Sequence, residues 1–216
     1  MRRTFLSFNR KLVNLSGLAN EILAEGGAIP PNKRSALSEY VISETWQAWN
    51  TFSKDIIIMS VQGCKARDGL TIRGRGSSNN DYWRLCYEAS CYAKRKPVNA
   101  NGHTSFKYFH GHTWGDSGKI INVVNGFSPS NTNRLLNGFG AATHISDIQA
   151  VRNACAHKGR EILLDLKTSL INKYQIRTVS HPSDYAWVST LIGNDVAYFV
   201  WVNEMKRTAS YVTESS

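Results

Sequence analysis

Arg152 and His157 are the pair whose residue types and spacing best suit chemistry on a phosphodiester. Four residues separate them, Asn153 follows the arginine and Ala156 precedes the histidine. Arginine keeps its charge and grips phosphate with a planar fork. Imidazole gains and loses a proton near neutral pH, as a general acid or base must. Arg152 therefore suits charge that builds on phosphorus, and His157 suits proton transfer. On a helix Asn153 and His157 are four apart and share a face, so the amide can hold the ring. Arg152 lies about 140° round from His157, at roughly 100° per residue. One helix alone does not focus the two groups. A second copy packed against it by a two-fold axis can, and Ala154, Cys155 and Ala156 are small enough for close approach. The same pair also describes an ordinary solvated helix C-terminus, where the dipole favours cations.

The helix that must carry them is legible on both sides. His144-Ile145-Ser146-Asp147 is a start signal, with Ser146 or Asp147 expected to cap free backbone N–H groups. Gly159 is the expected left-handed exit. Ile162, Leu163, Leu166, Leu170 and Ile171 predict a following helix from Arg160 to Tyr174. The pair of helices would then leave His157 and Lys158 near an exposed corner.

Arg152-Asn153-x-x-Ala156-His157 resembles the Arg-x4–6-His signature of HEPN domains, including its polar and small residues. Thr45-Trp46-x-x-Trp49-x-x-Phe52, the Asn-rich run before the motif, and His181-Pro182-Ser183-Asp184 ahead of a Trp201-centred last helix are similar to the HEPN group that includes ribonuclease toxins. The resemblance is sharp over 144–160 and loose elsewhere. It implies an all-α HEPN-like helical bundle, usually dimeric, and often a metal-independent endoribonuclease. Some members only bind. It assigns Arg152, Asn153 and His157 to catalysis, with no cofactor and no metal. It also implies a toxin or phage-defence role, RNA and a second copy as partners, and an antitoxin or defence-complex protein that restrains activity.

The remaining chain is expected to form one domain over 1–216, with an irregular, loop-rich basic insertion at about 63–115. Phe5, Phe8, Leu12, Leu15, Ala19 and Ile22 trace the apolar stripe of a helix from Thr4 to Glu25, stopped by Gly26-Gly27. A longer helix from Arg34 to Ser60 keeps one face through Leu37, Val41, Thr45, Ala48, Phe52, Ile56 and Met59, with Trp46 and Trp49 as core. Glu44, on its other side, is the carboxylate placed to steer Arg152 or His157. Within 63–115, Leu70-Thr71-Ile72 suggests an extended piece, and Asp81 to Lys96 a helix aligned on Trp83, Tyr87 and Cys91. Short helices open near Asp116 and after Ser128-Pro129-Ser130. The last helix is expected from Asn194, fraying from about Val212.

The chain carries 26 Lys and Arg against 16 Asp and Glu, a net charge of +10, which draws polyanions. Aromatics interleaved with cations in 63–115 suit unpaired RNA, whose bases stack while phosphates meet Lys and Arg. Arg73, Arg75, Lys94, Arg95 and Lys96 are the expected contacts there, with Lys158 and Arg160 beside the motif. His103, His110 and His112 with Cys86 and Cys91 match no strong zinc spacing. No apolar run nears the ~18–20 residues of a membrane span. Met1-Arg2-Arg3 leads into no secretory signal. Four irregularly spaced cysteines fit a reducing cytoplasm. No glycine-rich phosphate cradle is present.

Overall fold

Phe8, Leu12, Leu15, Ala19 and Ile22 fall three or four apart and are the buried face of the first helix, α1, Arg2–Ala24. In the computed structural model, which describes residues 1–25, 28–76, 81–107, 111–157, 159–176, 179–191 and 193–215, the chain is all-α. The expected stop at Gly26-Gly27 lies outside these residues. After α1 come α2 (Pro31–Gln62), a two-residue pair β1 (Cys64–Lys65) and β2 (Thr71–Ile72), and α3 (Tyr82–Ala93). The elements α4 (Ser117–Phe127), α5 (Thr132–Gly140), α6 (Ile145–His157), α7 (Arg160–Leu170) and α8 (Ala197–Val212) follow. Among the described residues no helix is long and apolar enough to cross a membrane.

The chain forms two compact units. One comprises Met1–Ser7, Asn50–Thr143 and Arg207–Ser216, and the other Phe8–Trp49 and His144–Lys206.

In the first unit the run Ile56-Ile57-Ile58 of α2 is buried all round, as its unbroken apolar character predicts. β1 and β2 pair antiparallel, Cys64 opposite Ile72 and Lys65 opposite Thr71. Gly63 makes the turn into β1 at φ +86, and a Cβ there would meet the Gly74 backbone at 2.6 Å, so both positions need glycine. The helix α3 buries Leu85, Cys86, Ala89 and Ala93, whereas Trp83 of the expected stripe stands 54% exposed. Asp116 caps α4 by accepting from the Lys119 N–H at 3.0 Å, as expected. Gly126 does not end α4. It lies under the Tyr92 ring, which a Cβ would meet at 2.3 Å, and the helix runs on to Phe127.

The expected fraying after Val212 is overturned. Val212 and Thr213 are fully buried, the Thr213 carbonyl accepts from the Arg67 N–H at 2.7 Å, and Glu214 binds both Arg67 and Arg134.

In the second unit Trp46 and Trp49 are core, and Trp49 meets Phe8 with ring centroids 6.1 Å apart. Among the elements that α6 packs against are two short ones, α7 and the 3-10 turn Pro182–Trp187. That turn starts as the sequence suggests. His181 accepts from Ser183 while Asp184 accepts from the His181 backbone, a reciprocal cap. Its position is fixed by His181 against Glu39 at 2.9 Å and by the Trp187 N–H donating to Ser38 at 2.8 Å. The last helix starts at Ala197, three residues later than expected. Asn194 adopts φ 58 in a tight turn, where the Thr190 N–H donates to the Asp195 carbonyl.

Candidate active site on the sixth helix

The rotation of α6 about its axis is set by a buried carboxylate. Asp147 is 2% exposed. It accepts from the Tyr174 hydroxyl at 2.6 Å and from Lys173 Nζ at 2.7 Å. The Tyr174 oxygen in turn accepts from the Trp201 indole N–H at 2.8 Å. Every polar group in the chain Trp201–Tyr174–Asp147 thus has a partner, the condition for burying polar groups without penalty. Burial, then the Asp147 carboxylate, push the Tyr174 phenol well above its ordinary pKa, so it stays a donor. Asp147 is one of the two residues, with Ser146, expected to cap the helix. It is instead a core acceptor, because residues remote in sequence converge on it. The start of α6 is held by Glu204 of α8, which accepts from the His144 N–H at 2.7 Å and pairs with its ring at 3.1 Å. A carboxylate there also suits the positive end of the helix dipole.

With Asp147, Ile148, Val151, Ala154 and Cys155 turned inward, the motif residues fall outside the buried stripe. Arg152 and Asn153 are half-buried, and Ala156 and His157 exposed. Arg152 Nη1 donates to Asn153 Oδ1 at 3.3 Å. Asn153 therefore engages the guanidinium, where its expected partner was the His157 ring. Among the described residues His157 has no hydrogen bond or ion pair, so its ring is available. Of the three small residues expected to admit a second helix, Ala154 and Cys155 are spent on the core and Ala156 alone faces out, joined by half-buried Ala150.

Glu44 does not steer the motif. Its carboxylate takes Lys11 Nζ at 2.7 Å. Gly159 is not a left-handed exit. At φ −77 and ψ 148 it is the extended residue ahead of α7. That helix ends at Leu170, short of the expected Tyr174. Arg160 is exposed at its start, and Lys158 lies outside the described residues.

The other expected RNA contacts lie in the first unit. Arg73, Lys94, Arg95 and Lys96 are exposed. Arg75 is otherwise engaged, bonded to Glu88 at 2.6 and 3.3 Å. Burial alone would raise the Glu88 pKa, but Arg75 and Arg84 outweigh it and hold the carboxyl below its usual range. Of the aromatics, Trp114 is buried, Tyr92 packs on Phe127 and Tyr87 on Phe106, while Trp83 and Tyr82 are exposed and meet edge to face with centroids 5.7 Å apart. Tyr108, Phe109 and His110 lie outside the described residues. Among the described residues Cys64, Cys86, Cys91 and Cys155 form no disulfide.

His112 has a structural consequence. Both ring nitrogens are buried without a hydrogen bond. Burial, helped by Lys119 and Lys94 and opposed by Asp116, pushes its pKa down to about 4. The unfolded chain protonates this ring near 6.5, while the folded one resists until about 4. The His112 contribution is therefore intact above pH 6.5 and lost as pH falls, by about 3 kcal/mol in all. Urea unfolding from pH 7 to pH 4 measures this loss, and His112→Leu is expected to flatten that limb. An unchanged slope would remove His112 as its source.

Compared with family models, curated proteins and solved structures, the chain matches none.

Proposed function

We propose that this chain is a metal-independent endoribonuclease of the HEPN type, acting as a homodimer in the role of a toxin or phage-defence effector. The observation that carries the proposal is that Arg152, bonded to Asn153, and His157, exposed and without a hydrogen bond or ion pair among the described residues, both fall outside the buried stripe of α6. The charge of +10 and the sequence resemblance of 144–160 support it.

In the mechanism, His157 removes the proton from a ribose 2′-hydroxyl, and that oxygen attacks the adjacent phosphorus. Arg152 stabilises the charge of the pentacoordinate phosphorus. The bond to the 5′-oxygen breaks, and an imidazolium returns a proton to the leaving oxygen. The products are a 2′,3′-cyclic phosphate and a 5′-hydroxyl. Asn153 holds Arg152, a correction of the ring-orienting role read from spacing. In a dimer, α6 would meet its symmetry mate along the open face, bringing one protomer's arginine to the partner's histidine. A neutralising protein partner and a cytoplasmic setting belong to the same proposal.

Incubating the protein with RNA in EDTA tests it. The expected outcome is fragments ending in 2′,3′-cyclic phosphate, with no cleavage of the matching DNA. Equal cleavage of DNA would sink it, because DNA lacks the nucleophile. A second reading, a non-catalytic HEPN RNA-binding or assembly subunit, is favoured by the ~140° between Arg152 and His157 within one helix. RNA binding without cleavage would select it.

A further inference from the structure

A pocket with no part in the proposed cleavage lies in the first unit, away from the motif in sequence. An open pocket of about 250 Å³ forms where the start of α5 meets the end of the chain. Asn131, Asn133 and Asn137 of α5 line it, with Ser130 and Ser215 at its edge. Its wall is a planar pair, the Arg134 guanidinium 3.7 Å over the Tyr211 ring centroid. Three features give the pocket a chemical preference. Glu214 pairs with Arg134 at 2.5 Å and also with Arg67, so the arginine of the wall is already held by a carboxylate that two guanidiniums share. Its lining is otherwise amides and hydroxyls, which both donate and accept. Asn131 occupies the capping position of α5 yet caps nothing. Its Nδ2 donates to Ser60 at 3.2 Å, and its Oδ1 is buried with no partner, an acceptor awaiting a donor.

A neutral heterocycle with mixed donors and acceptors fits this lining, and a stacking wall suits its flat face. The backbone of one cation, Arg73, is bonded to the lining residue Ser130. The Arg73 backbone N–H donates to the Ser130 hydroxyl at 3.0 Å, and its carbonyl accepts from it at 3.2 Å. The Arg73 side chain is exposed, with no ion pair among the described residues. We infer that this pocket binds one unpaired nucleotide of single-stranded RNA: the base lies against Arg134–Tyr211, its edge meets the α5 asparagines, and its phosphate meets Arg73. The inference extends the ribonuclease proposal but does not need turnover.

Calorimetric titration of the whole chain with the four ribonucleoside 5′-monophosphates, and with ribose 5-phosphate, is the test. At least one nucleotide is expected to bind more tightly than ribose 5-phosphate. Asn133→Ala and Asn137→Ala, both exposed helix positions where alanine favours the helix, should each weaken that binding about tenfold. Arg73→Ala should weaken the nucleotide but not its nucleoside. Because the readout is mononucleotide binding without turnover, a protein that binds them yet cleaves no RNA fails the cleavage proposal alone. If ribose 5-phosphate matches every nucleotide, or both asparagine variants bind as wild type, the inference is overturned.

Discussion

Alanine at position 157 is expected to lower RNA cleavage in EDTA by about 10²–10⁴-fold, the usual worth of a positioned acid–base group. Arg152→Ala is expected to cost about 10²–10³-fold through lost stabilisation of charge on phosphorus. The fold should be unaffected by the first change, because His157 is exposed and bonded to nothing among the described residues. Circular dichroism and unfolding midpoints provide that control. Asn153→Ala should behave as a weaker copy of Arg152→Ala, since the amide touches the guanidinium at 3.3 Å and not the ring. A His157→Ala protein that cleaves at the wild-type rate would remove the imidazole from the mechanism.

Asp147→Ala carries the largest expected loss of stability. The change removes the acceptor of a buried phenol and of Lys173 at once. A charged hydrogen bond in the core and an orphaned buried donor together cost about 3 kcal/mol. Lys173 contributes little of this. Its side chain is 47% exposed, and water screens its share of the pair. Lys173→Met should therefore cost less than about 1 kcal/mol, whereas Tyr174→Phe, which also strips the Trp201 indole of its acceptor, should approach the loss in Asp147→Ala. Urea unfolding orders the three variants. Cleavage should fall further in Asp147→Ala than stability alone requires, because the carboxylate sets which face of α6 is outward. If Lys173→Met proves the most damaging, the brace is misassigned.

How much of this was legible in the sequence depends on the distance over which each residue finds its partner. The three-four spacing from Phe8 to Ile22 and the unbroken run Ile56-Ile57-Ile58 are local patterns, and α1 and α2 follow them closely. Asp116 caps by a bond within three residues, and that helix start was readable. Asp147 was misread as a cap because its partners, Lys173 and Tyr174, lie more than twenty residues away. Glu204 was missed for the same reason, reaching His144 across sixty residues. A signal existed in Trp201 and Tyr174, since buried indole and phenol groups seek polar partners, but it did not say which. The motif helix itself was placed well, from Ile145 to His157. The detail of the site was not, because whether Asn153 turns to the adjacent arginine or to the histidine one turn on is decided by which face of α6 is buried. At the chain end, Val212 and Thr213 look like fraying residues until Arg67 and Arg134 are seen to grip Glu214.

The account depends on arginine and histidine meeting from two copies of α6, as neither converges with the other on one helix. Mixing settles this most directly. Arg152→Ala and His157→Ala proteins, each inactive alone, are co-expressed with different tags, and the doubly tagged species is isolated and assayed on RNA in EDTA. The mixed dimer keeps one intact arginine and one intact histidine on opposite protomers, and cleavage is expected to return in it. A doubly tagged dimer as silent as its parents, from subunits that each remain folded, would contradict a site shared across the two-fold axis.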